Sequence, residues 1–146
     1  MKLNKKGFTL IELLVVIAII GLLSTLAVVA LNTARMKSRD AKRVSDIKQV
    51  QTALELYYAD TTAYPAAPTS NLGNGDALAL CTGGFKAACG ATDTVYMGQV
   101  PRDPGTTVYA YTQTGSGTGY SIAFTLEGTV GSLAAGAHTG TANGIQ

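Results

Sequence analysis

Residues 13–31 read LLVVIAIIGLLSTLAVVAL, nineteen positions without a charge and with only Gly21, Ser24 and Thr25 as weakly polar breaks. An uninterrupted apolar run of eighteen or more residues is long enough to cross a bilayer as one helix. A core helix of a soluble protein is rarely apolar on every side over such a length in so short a chain. On its N-terminal side the run continues through Phe8-Thr9-Leu10-Ile11, with Glu12 as the single acid inside it. This stretch is expected to be a membrane-spanning helix.

Charge is distributed around that run. The first seven residues carry Lys2, Lys5 and Lys6; residues 35–48 hold six bases (Arg35, Lys37, Arg39, Lys42, Arg43, Lys48) against Asp40 and Asp46; the remainder is net acidic. The whole chain of 146 residues is only +2, with 14% charged residues and 47% hydrophobic ones. So few charges exclude a disordered polyelectrolyte and a nucleic-acid binder that relies on bulk positive charge. Counted by the preference of bases for the cytoplasmic side, the six bases after the run outweigh the three before it and would keep the C-terminal part inside. Cys81 and Cys89 point the other way, because they close a short loop as a disulfide in an oxidising compartment would. Two unpaired thiols are the alternative. Charge alone leaves the sidedness open.

The leader Lys5-Lys6-Gly7-Phe8-Thr9-Leu10-Ile11-Glu12 places a basic-Gly/Phe junction before the apolar run, whereas a secretory signal peptide is cut after it. Here the chain resembles type IV prepilins and the pseudopilins of type II secretion systems, whose pattern is a basic residue, Gly, then Phe-Thr-Leu-Ile-Glu and an unbroken apolar helix. The resemblance implies cleavage between Gly7 and Phe8 by a prepilin peptidase, N-methylation of Phe8, and a C-terminal domain outside the cytoplasm. It also implies an assembly role for Glu12, paired in a filament with the amino group of Phe8 on an adjoining subunit. A stack at the wrong height would leave both charges uncompensated. The residue-level alternative is an acid that serves only its own helix start. The chain departs from many members in having Val29 where they carry proline, while Gly21 is retained.

Beyond Leu31 no proline occurs before Pro65, and Val44, Ile47, Val50, Leu54 and Tyr57 recur at steps of three and four. That spacing predicts one helix from Phe8 to about Ala59, its outer part packed through an apolar stripe. The bases of 35–48 have two readings: a solvated face near lipid headgroups, or partners for acids of neighbouring subunits. DNA binding is disfavoured because no aromatic platform accompanies them. Thr94–Val100, Val108–Thr112 and Tyr120–Leu126 have strand composition, punctuated by Pro101, Asp103-Pro104-Gly105 and Gly115–Gly119 as turns. Three short antiparallel strands against the helix give an α+β class. The Gly/Ala/Thr-rich tail from Gly128 is expected to be a loose β-arm or unstructured. The expected division is 1–7 leader, 8–31 transmembrane and filament-core helix, 32–60 amphipathic second half, and 61–146 globular head.

No catalytic residue is assigned: His138, the one histidine, lies in the tail, and no phosphate loop or dinucleotide fingerprint occurs. Nor is any cofactor or metal expected. Some major pseudopilins carry calcium in a C-terminal loop, and Asp103-Pro104-Gly105 is similar to sequence near it. The tail after Glu127, however, has no Asp or Glu to supply a hard-cation shell. The expected function is therefore structural: a subunit of a type IV pilus-like helical filament, a homo-oligomer built from its N-terminal helices. The expected partners are membrane lipid before assembly, the prepilin peptidase, an inner-membrane assembly platform and an assembly ATPase. The expected location is the bacterial inner membrane and then an extracellular or periplasmic filament. Two alternatives stand beside it: a major pseudopilin of a type II secretion system, and a secreted soluble binding domain cut near Val28-Val29-Ala30.

Overall fold

The computed structural model describes residues 7–146, so the basic leader with Lys2, Lys5 and Lys6 lies outside the described residues. The chain divides into two compact units, one through Arg35 and one from Met36 to Gln146. A single helix, α1 (Leu10–Thr61), supplies all the described regular structure of the first and opens the second. Its 52 residues span about 78 Å at 1.5 Å per residue.

Within the first unit the most apolar window of α1 has none of its residues buried. Ser24 and Thr25 do not interrupt the helix, because each hydroxyl donates to a carbonyl one turn back, Ile20 at 2.7 Å and Leu22 at 2.8 Å. At the helix start Thr9 and Glu12 cap each other. Both the N–H and the hydroxyl of Thr9 donate to Glu12 Oε2, at 2.8 and 2.6 Å, and the Glu12 N–H returns to Thr9 Oγ1 at 3.3 Å. This reciprocal Thr-x-x-Glu arrangement satisfies N–H groups that have no partner inside the helix.

In the second unit α1 buries Asp40, Arg43, Asp46, Ile47, Val50, Ala53, Leu54 and Tyr57. The expected stripe is thus the packed face, with Val44 half-buried at its margin. The helix ends where Thr62 turns to φ 60 and its N–H bonds to the Tyr58 carbonyl at 2.8 Å. Pro65 follows soon after, where continuation is blocked.

Two small antiparallel sheets complete the unit. The first contains β1 (Ala79–Cys81), β2 (Gly84–Lys86) and β3 (Val95–Met97) in the order β2-β1-β3. The second contains β4 (Ala110–Thr114), β5 (Gly119–Leu126), β6 (Gly136–Thr141) and β7 (Gly144–Ile145), ordered as in the chain. The strand expected at 94–100 therefore belongs to a different sheet from those expected at 108–112 and 120–126. Tyr120, Ile122, Phe124 and Leu126 of β5 all face inward, as their alternation predicts.

The tail departs most from expectation. It is neither loose nor unstructured but pairs with β5 from Ile122↔Gly140 to Leu126↔Gly136 and then folds back as β7. Its small residues allow this. A Cβ added at Gly140 would stand 2.7 Å from Ile47 Cγ2 on α1, so only glycine lets β6 lie that close to the helix.

Candidate functional site

Two features stand out, one in each unit. In the first, residues Phe8 to Leu31 present large side chains to the outside: Phe8 is 83% exposed, and every Leu, Ile and Val from Leu10 to Leu31 is 45% exposed or more. A contiguous apolar surface of this extent marks a membrane or protein interface. Gly7 and Phe8, the expected cleavage pair, precede the helix and are both exposed; no atom lies within 4 Å of a Cβ placed on Gly7. Glu12, given an assembly role by the resemblance, is held by Thr9. Both of its contacts from Thr9 go to Oε2, so the carboxylate is already oriented before any second chain meets it.

The second feature was not foreseen. Arg43 is 1% exposed and is the centre of an ion network. Its Nε donates to Asp103 Oδ2 at 2.8 Å and Nη2 to Asp103 Oδ1 at 3.0 Å, a fork-to-fork pair. Nη1 donates to Asp40 Oδ1 and to Glu127 Oε1, each at 2.7 Å. Arg39 Nε adds a bond to Glu127 Oε1 at 2.9 Å. Asp40 in turn caps the strand end, accepting the N–H groups of Glu127 at 3.0 Å and Gly128 at 2.7 Å. One guanidinium thereby ties α1 to the turn after β3 and to the end of β5. Two of the six bases in the 35–48 stretch are committed inside their own chain, which corrects the reading of that whole stretch as a free basic face.

Position explains these charge states. The Arg39 and Arg43 guanidiniums hold the Glu127 carboxyl down to about 2. Burial pushes the Asp103 carboxyl up, but the Arg43 guanidinium and the Gly105 N–H outweigh it and leave it below the usual carboxylate range. Arg43 itself is raised, the Asp103 bond being the largest cause. Asp46, also buried, is raised by desolvation although Tyr109 donates a hydroxyl to its Oδ2 at 3.1 Å. A sequence signal for the network existed: positions 43, 47, 50, 54 and 57 form one run of three- and four-residue steps, so Arg43 sits where the pattern asks for an apolar group.

The network has no nucleophile; its Arg43 centre is buried and its Arg39–Glu127 rim is partly exposed, so its chemistry is cross-linking. Calcium does not fit here. Both Asp103 oxygens face the Arg43 guanidinium, and Oδ1 also takes the Gly105 N–H at 2.7 Å, so a dication at Asp103 would sit against a fixed positive charge. Among the described residues no group of three or more His, Cys, Asp or Glu is placed to hold a metal. Cys81 and Cys89 form a disulfide with Cα atoms 5.8 Å apart, which tethers the loop beyond β2 to β1. Lys86 Nζ pairs with Asp93 Oδ2 across that loop at 2.8 Å. His138 lies half-buried on β6, its Nε2 beside the Ala134 carbonyl oxygen at 2.8 Å and its Nδ1 beside that of Gln146 at 3.1 Å.

Comparison with known proteins accounts for both units. Residues 2–28 match the prokaryotic N-terminal methylation motif, and residues 30–135 match type II secretion system protein G. Type II secretion system core protein G of Aeromonas hydrophila is 36% identical over 70% of this chain and 69% of its own length. The protein of the same name from Escherichia coli strain K12 is 43% identical over 48% of this chain and 46% of its own. The type IV major fimbrial protein FimA of Dichelobacter nodosus is 40% identical over 52% of this chain and 49% of its own. No solved structure gives a significant match. A methylation motif leading an apolar helix, followed by a matching α+β head, makes the chain a member of the type II secretion system protein G family of pilin-like proteins.

Proposed function

We propose that this chain is the major pseudopilin of a type II secretion system, a structural subunit with no catalytic role of its own. The single observation that carries this reading is the family match over residues 30–135, joined to an apolar helix with no burial in its own chain. It revises the expectation of a type IV pilus subunit in favour of the secretion alternative; subunit chemistry is common to both. The prepilin peptidase cuts between Gly7 and Phe8 and methylates Phe8. The helix from Phe8 to Leu31 anchors the mature protein in the inner membrane until an assembly platform, driven by a separate ATPase, draws it into a filament. Its side chains pass from lipid to the helices of sister copies. Apolar surface is covered in both places, so close van der Waals packing decides cohesion.

Glu12 fixes height. A carboxylate in the bilayer costs on the order of 3 kcal/mol unless it finds a counter-charge, and the methylated amino group of Phe8 on the adjoining copy supplies one. The Thr9 bonds hold the carboxylate ready for it. The fimbrial relative from Dichelobacter nodosus supports a pilus as the second reading. Deleting the gene tests the two. Type II substrates are expected to accumulate in the periplasm with surface pili unchanged; lost pili with intact secretion would favour the second. The intact mass of the mature protein should begin at methylated Phe8, and a mass beginning at Leu31 would contradict both.

A further inference from the structure

In the second unit the side-chain carboxylates divide into three groups. Asp40, Asp103 and Glu127 are paired with Arg39 or Arg43, and Asp93 with Lys86. Asp46 is buried, and Asp76 holds the 69–76 turn through the N–H groups of Thr69 and Ser70 at 2.9 Å each. This leaves Glu55 and Asp60, both exposed on α1, without a cation among the described residues. Each is held by neutral donors only. Tyr64 OH donates to Glu55 Oε1 and Oε2 at 2.9 and 3.1 Å, and Tyr96 OH to Asp60 Oδ2 at 3.0 Å. Among the bases of the same helix segment, Lys37, Lys42 and Lys48 are exposed and form no ion pair among the described residues.

Their positions are ordered. Lys37, Lys48 and Glu55 fall within about 20° of one line along the helix at 100° per residue. Lys42 and Asp60 are eighteen residues apart, five whole turns, and share a second line. Both lines border the outward strip of Ala41, Ser45, Thr52 and Ala59, which is uncharged. Each line is positive toward the N-terminus and negative toward the C-terminus. Two parallel copies in register would set base against base and acid against acid, and such like-charge juxtaposition is penalised. Displacing one copy along the axis by about 18 to 20 Å at 1.5 Å per residue brings two bases of one level with the two acids of the other. The pairs are Lys42 with Glu55 and Lys48 with Asp60, at one common displacement, while Lys37 extends the positive end of its line. A contact between unlike patches does not close on itself and propagates as an open helical array.

We propose that these two charged bands form a side-to-side docking surface for a second copy of this chain, fixing the axial stagger between neighbouring heads. This rests on the filament reading above and deepens it. The tyrosine bonds hold the two carboxylates in place while the flexible lysines reach across, so ordering falls mainly on one side of the contact.

The test uses filaments of the full mature chain, assembled from a mixture of 14N- and 15N-labelled subunits and treated with a zero-length carbodiimide cross-linker. Mixed-isotope isopeptides are expected between Lys42 and Glu55 and between Lys48 and Asp60. The triple variant Lys37→Glu, Lys42→Glu, Lys48→Glu, whose exposed side chains form no ion pair among the described residues, is expected to reach the membrane normally. Its filament yield should fall by about tenfold or more through like-charge repulsion. Adding Glu55→Lys and Asp60→Lys inverts both bands and is expected to restore assembly. Wild-type filaments lacking those isopeptides, or a triple variant that assembles like wild type, would overturn the docking surface and leave the filament reading standing. Failure of the wild-type chain to polymerise with its assembly machinery would overturn both.

Discussion

The first and second parts of α1 obey opposite rules. Leu23 is 57% exposed and Leu54 is fully buried, although both are leucines on the same continuous helix. Up to Leu31 the helix is apolar on all sides, and its most apolar window has no buried residue; from Asp40 onward it has one packed face and one polar face. The apolar part is unfinished as a monomer, whereas the amphipathic part is complete. The proposed passage from lipid into a filament requires both: a surface free to exchange neighbours, and a head that keeps its shape while that exchange happens.

Substitutions that separate these roles break the comparison, and the largest effect is expected at Arg43. Arg43→Leu leaves Asp40 and Asp103 buried without their cation, a loss of about 3–5 kcal/mol. Thermal unfolding of the full chain in detergent, followed by near-ultraviolet circular dichroism, should show the head melting far below wild type. Arg43→Lys should recover only part, because an ammonium does not make the fork-shaped pair. Next comes a matched pair. Leu54→Ala should cost about 2–5 kcal/mol in the same melt, while Leu23→Ala should leave the melt unchanged and weaken only assembly. Replacing both Cys81 and Cys89 by Ser should remove about 2.5 kcal/mol by the loop-entropy relation. Equal melts for the oxidised and serine forms would mean that the 81–89 loop contributes nothing to head stability.

Acid sharpens the contrast further. Glu127 has its carboxyl lowered from 4.5 to about 2. The folded head therefore binds that proton more weakly than the unfolded chain. The stabilisation is complete above pH 4.5 and is lost as pH falls toward 2. Glu127→Gln should flatten this part of the stability curve. The smallest effect belongs to metal removal: a chelator should leave the melt unshifted, since guanidinium already fills the place between Asp40, Asp103 and Glu127.

Legibility in sequence followed the same division. Nineteen uncharged, mostly apolar residues and the Gly7-Phe8 junction announce the first unit because membranes impose a length and composition that a local pattern displays. The stripe through Ile47, Val50 and Leu54 and the alternation at Tyr120–Leu126 were also visible, each governed by a period set within its own element. What stayed hidden depends on distant residues meeting. Arg43 reads as one more base near a membrane until Asp103, sixty residues on, and Glu127 arrive around it. The tail's glycines look like linker until β6 is laid against Ile47, where a side chain would collide. The Thr9-Glu12 cap was open to inspection as a Thr-x-x-Glu spacing. The alternative of an acid serving its own helix start contained it, without naming Thr9 as the partner.

The most direct test of the exchange of neighbours is a cysteine walked one position at a time through Val15–Ile20, followed by oxidation of sheared filaments and of membranes holding unassembled subunits. At least one position is expected to yield disulfide-linked dimers in filaments and monomers alone in dilute membranes. Filaments that remain monomeric at every one of these positions would contradict the packing of sister helices.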